Sequence, residues 1–113
     1  MKTKQAESVE SQPVAVEGAK DVQIRWLIHG PDGAANFHLR QFELAPGGHT
    51  PRHQHAWEHE VYVLEGGGSA VSAQGERAIS PGTAVFVEPG EVHQFRAGPG
   101  GMKMLCIIPS SGK

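Results

Sequence analysis

Short runs in which apolar and polar residues alternate with a period of two recur along the chain, and glycine or proline closes each of them. The pattern predicts strands over VQIRWLIH (22–29), NFHLRQFEL (36–44), HEVYVL (59–64), SAVSA (69–73), TAVFVE (83–88), HQFRA (93–97) and MKMLCII (102–108). Between them lie PDG, PGG, EGGG, SPG, EPG and GPGG, which read as turns. No stretch of helical period with a cap and a stop competes for these positions. Seven or more short strands with frequent turns predict an all-β fold, a closed or sandwich-like barrel in which one face of each strand points to a shared interior. Residues 1–12 are polar and lack periodicity, so they are expected to form a flexible arm ahead of a barrel domain over 13–113.

Length and charge narrow the function classes. A chain of 113 residues is long enough for one core and too short for two. The formal charge of -2 gives no electrostatic reason to bind nucleic acid, and no apolar run is long enough to cross a bilayer. The N-terminus lacks the apolar core of a secretory signal, so a cytoplasmic location is expected. Cys106 is the single cysteine, which excludes an internal disulfide and a multi-cysteine metal cage. Metal ligands, if present, must therefore be nitrogen or oxygen.

Seven histidines are many for so short a chain, and four of them fall in two neighbourhoods. The first reads Gly47-x5-His53-x-His55-x3-His59-x6-Gly66; the second, from Pro81 to His93, ends on a histidine that opens a later strand. Residues of equal parity share a strand face, so His53, His55 and His59 are expected to point into one cavity while Glu58 and Glu60 face away. Neutral imidazole suits first-row transition ions. His55-Ala-Trp-Glu58-His59 also spells the inverted zinc-peptidase motif, but that motif requires a helix and this segment runs into VYVLEGGG.

On these residues the sequence resembles the cupins, whose motifs are G-x5-HxH-x3 or x4-E-x6-G and G-x5-PxG-x2-H-x3-N. The resemblance covers both motifs and most of residues 22–109, and it implies a single-domain, jelly-roll-like barrel. It makes His53, His55 and His93 ligands of one divalent metal. The fourth ligand has two candidates: the VLEG register and strand parity select His59, whereas the longer spacing, counted from Gly67, selects Glu60. With His59 the chain is most similar to small bacterial cupins that hold manganese with four histidines, through residues 53–60, 86–93 and 105–109. That similarity implies Mn2+ or Fe2+, with Zn, Ni, Co and Cu also compatible. Two departures lie in the second motif, Glu88 at the usual proline and Ala97 at the terminal Asn, and neither position supplies a ligand.

Strand parity then predicts what surrounds the ion. Phe42, Phe95 and Cys106, with Met104 and Ile108, face inward and form an apolar pocket or simply core. Arg40 and His38 share the face of Phe42 and are candidates to orient an anionic group on a small-molecule substrate. His29 and His49 read as turn or strand-surface residues. Two open positions on a six-coordinate ion and the lack of an inward general base favour a dioxygenase; a metal-dependent isomerase or lyase and a non-catalytic binding module are the alternatives. Strand 22–29 is apolar on both faces at Trp26, Leu27 and Ile28, which predicts a homodimer.

Overall fold

A computed structural model describes residues 1 to 112. Seven strands carry the chain: β1 (Gln12–Pro13), β2 (Lys20–Ile28), β3 (Phe37–His49), β4 (His59–Ser72), β5 (Gly75–Ile79), β6 (Ala84–Val87) and β7 (His93–Pro109). Single 3-10 turns occupy Ala6–Ser8, Gly30–Asp32 and Ser110–Gly112. Every pairing is antiparallel, in the order β1-β2-β3-β7-β4-β5, and β6 pairs with the first part of β4. The expected all-β barrel is what forms. No helix among the described residues is long and apolar enough to cross a membrane.

Two strands are longer than the alternation predicts, for one physical reason. The segments 59–64 and 69–73 are a single strand, β4, and 93–97 and 102–108 are a single strand, β7. The glycines between them are corners in a ladder that continues, with Glu65 opposite Lys103, Gly66 opposite Met102 and Gly68 opposite Ala97 across register shifts. Gly66 has φ +72°, and a Cβ there would collide with the carbonyl oxygen of Gly101; a Cβ at Gly68 would collide with that of Arg96. Glycine at these two positions lets β4 and β7 stay in contact while both bend. A glycine-rich run that reads as a turn is here a bent strand. β1 and β5 carry too little apolar alternation to be read from the sequence.

Cross-strand register decides which side chains share the interior. β3 and β7 place Leu44 opposite Met102, Phe42 opposite Met104, Arg40 opposite Cys106 and His38 opposite Ile108. On the other side of β7, Val63 stands opposite Met104 and Val61 opposite Cys106. The core comprises Val22, Leu44, Val61, Val63, Ile79, Val87, Phe95, Met102, Met104, Cys106 and Ile108. The N-terminal segment lies along β2, where Arg25 Nη1 donates to the carbonyls of Ala6 (3.2 Å) and Val9 (2.6 Å). Lys4 meets Asp32 at 2.7 Å.

Candidate metal centre

His59 opens β4 and His93 opens β7, and both are buried. His53 and His55 lie outside the strands, on the connection from β3 to β4, so a common strand face is not what gathers the histidines. His53 is placed instead by a reciprocal backbone pair with His93: His53 N–H donates to His93 O (3.1 Å) and His93 N–H to His53 O (2.9 Å). His55 is placed by stacking on Trp57, with ring centroids 4.2 Å apart and planes within 5°. Glu60, the other candidate for the fourth ligand, is exposed and pairs across to Phe86 and Ile107, while His59 is 6% exposed.

Hydrogen bonds fix which nitrogen of each ring faces inward. Nδ1–H of His53 donates to Pro51 O (2.9 Å), that of His55 to Trp57 O (3.0 Å) and that of His93 to Glu91 O (2.7 Å). A carbonyl only accepts, so these three rings carry their proton on Nδ1 and present a bare Nε2. One donor atom each from His53, His55 and His93 lie within 4.8 Å of one another. His59 Nε2 is 3.1 Å from His93 Nε2. Donors about 2.1 Å from a common ion stand about 3.0 Å apart at right angles and about 4.2 Å apart when opposite. His53, His55 and His93 fit a divalent transition ion with sub-ångström adjustment, and His59 adjoins that set through His93.

Electrostatics agree with that donor set. Burial lowers the pKa of His55 and His93, against the opposing pull of their carbonyl partners, and lowers that of His59 to about 3, with the neighbouring His93 and His55 adding to the effect. These rings are neutral at physiological pH, which is the form that donates to a metal.

Cys106 and Arg40 stand behind His59. Arg40 Nη2 donates to Cys106 Sγ at 2.8 Å, and Sγ lies 3.3 Å from His59 Nδ1. Burial raises the Cys106 pKa despite the adjacent guanidinium, which keeps the side chain a thiol. A thiol proton donated to His59 Nδ1 sends the His59 proton from Nε2 to His93, closing a one-way chain of donors from Arg40 to Glu91 O. Were His59 Nε2 to hold an ion, the ring would carry its proton on Nδ1 and donate it to the sulfur.

The histidines stand in the wall of a cavity of about 460 Å³, lined also by Arg40, Phe42, Phe95, Met104, Cys106 and Trp57. Of the pocket residues expected from parity, His38 is the one outside this lining. It is 1% exposed, packed edge-on against Trp26 and His29, with neither ring nitrogen hydrogen-bonded. His49 is half-buried beside Gln94. Sequence reasoning missed Trp57 and the cavity's cover from the N-terminal segment, Val14 and Val16. The alternation in PVAVEG carried a signal for the second; the stacking of Trp57 on His55 had none.

The cupin-domain family model matches residues 40–108, which include the whole histidine set. The chain is a cupin. This cupin is similar, at 43% identity over 97% of its length and 80% of the other chain, to the polyketide cyclase RemF from Streptomyces resistomycificus, with a TM-score of 0.93. A cupin-2 domain protein from Rhodospirillum rubrum shares 28% identity over 96% of this chain and 74% of that one, with a TM-score of 0.84. A 1-methylthio-D-xylulose 5-phosphate methylsulfurylase of Rhodospirillum rubrum is 40% identical over 73 residues, 62% of this chain. The chain spans about half the length of that curated relative, 46%.

Proposed function

We propose that this cupin is a metal-dependent enzyme that closes a ring in a small substrate carrying several ketones. The observation that carries the reading is the 43% identity, over nearly the whole chain, to a polyketide cyclase. The cavity supports it, since its wall combines apolar Phe42, Phe95 and Met104 with the inward nitrogens of His53, His55, His59 and His93. These four side chains are the proposed ligand set. A bound divalent ion supplies Lewis acidity that polarises a ketone.

The chain's own residues do the rest. Phe42, Phe95 and Trp57 hold a flat, conjugated substrate and exclude water. The scarcity of inward general bases does not count against this chemistry. A carbon between two ketones is acidic because its anion is delocalised over both oxygens, so a weak base suffices to remove the proton. The carbanion then attacks a second ketone, the new carbon–carbon bond closes the ring, the alkoxide takes up the proton, and loss of one water leaves the ring unsaturated.

Chelator-stripped protein reloaded with Mn, Fe, Co, Ni or Zn should convert a linear aromatic triketone to a cyclic product with loss of one water, equally in air and under nitrogen. Oxygen consumed in step with product would establish the dioxygenase expectation instead. No turnover with any of the five metals would favour the binding module.

We also propose that two copies pair. Phe37, Ile28, Tyr62, Phe86 and Ile107 are exposed, and Leu39 lies between Ile28 and Ile107 in the ladder. An outer sheet face this apolar favours a partner over water. Sedimentation should give a dimer mass, and Phe86→Lys with Ile107→Lys should give a monomer; a wild-type monomer at micromolar concentration would end the idea.

A further inference from the structure

Arg40 is the one feature of the cavity that metal chemistry leaves unexplained. It lies on β3 inside the barrel, half-buried, with its guanidinium 4.9 Å from the ring of Phe42 and 5.5 Å from that of Trp26. Its hydrogen bond goes to the sulfur of Cys106, a weak acceptor, and its Nε is buried with no partner. Among the described residues no carboxylate pairs with it: the salt bridges join Lys4 to Asp32, Arg25 to Glu43 and Lys103 to Glu65. The one acidic residue in the cavity lining, Glu17, is exposed at the N-terminal side.

A guanidinium facing an apolar cavity without a counter-charge is costly, and a divalent ion on the neutral histidines adds positive charge. Cation–π contact with two rings offsets part of that cost and holds the planar fork in place, but it supplies no negative charge. What completes the site is an anion with oxygens in the plane of the fork.

We infer that Arg40 is an anion-binding residue and that the cavity takes a substrate presenting a carboxylate or an enolate oxygen to its guanidinium. This rests on reading the cavity as the substrate site, and it specifies the substrate class: a ketone chain that carries an anionic group. Arg40 then positions the chain while its free end reaches the histidines.

The test measures binding by calorimetry, with no turnover required, on metal-loaded and on chelator-stripped protein. The probes are benzoate, its neutral isostere benzamide, and benzoylacetone. Benzoate should bind stripped wild type about tenfold or more tighter than benzamide. Arg40→Gln should remove that preference, Arg40→Lys should keep part of it, and benzamide should be unchanged throughout. On stripped protein, benzoylacetone affinity should rise as its enol ionises in wild type and stay flat in Arg40→Gln; a rise for benzoylacetone there with no preference for benzoate would assign the site to enolates. Arg40→Met, which keeps an unbranched stem against Phe42 and Trp26, repeats the test should the Gln variant unfold, and the melting curve and metal content report folding. Equal binding of benzoate and benzamide together with a flat benzoylacetone response would overturn the inference, as would benzoate binding indifferent to Arg40. A protein that passes this test and closes no ring would refute the cyclase reading alone.

Discussion

The two ends of the barrel interior are built from the same strands and behave as opposites. At one end Val63, Leu44, Met102 and Val22 fill the space, with Val63 wholly inaccessible and the others at most 4% exposed. At the other end, along the same β3, β4 and β7, Arg40, His59, Cys106 and Phe95 stand round an open cavity. The difference is in the side chains more than the backbone, since the β3–β7 ladder runs without a register shift from Phe37 to Leu44, past both. Close packing at the first end fixes where the strands can be. That fixed frame lets the second end hold nitrogens at ligand spacing without filling the volume between them.

The contrast can be broken most severely at the histidines. His93→Ala removes an inward donor while leaving the backbone pair with His53 intact, and metal affinity should fall at least about a hundredfold by chelator competition. Its folding should be affected far less. At the filled end the expectation inverts: Val63→Ala opens a hole beside Met104 that the ladder cannot collapse, and should cost about 1 to 3 kcal/mol by denaturant titration with metal stoichiometry unchanged. Metal loss in Val63→Ala larger than in His93→Ala would show that the two ends do not divide the work.

Smaller effects sharpen the division. His59→Glu exchanges one competent donor for another, so the ion should stay bound within about tenfold while the net charge of the site falls by one. Slower ketone cyclisation at full metal content is the expected reading. Cys106→Ser keeps a hydroxyl able to accept from Arg40 and to meet His59 Nδ1, whereas Cys106→Val keeps the volume and loses both. The serine variant should hold Co2+ with a nearly unchanged visible spectrum, and the valine variant should shift it and weaken binding several-fold. Identical spectra in both would reduce Cys106 to packing.

The strands that line the centre were legible because burial on one face leaves a period-two trace, as in His59, Val61 and Val63 or in Met104, Cys106 and Ile108. The glycine spacings around His53, His55 and His59 carried the family, and Arg40 and Phe42 were readable from parity on β3. Other features left no such trace. The corner at Gly66 and Gly68 was misread as a turn, because a local sequence cannot say that β7 still supplies hydrogen bonds across the bend. His53 and His55 were assigned to a strand face, but His53 is held to His93 by a backbone pair with a segment 40 residues away and His55 is set by its stacking on Trp57. That pairing and the isolation of Arg40 from every carboxylate among the described residues are relations between residues remote in sequence, and the stacking of Trp57 on His55, though local, depends on a loop conformation that no periodicity encodes. Sequence determined which side chains exist and which face each strand buries; only the closed barrel decided which of them meet, because contact across strands depends on register, and register is set by the whole ladder at once.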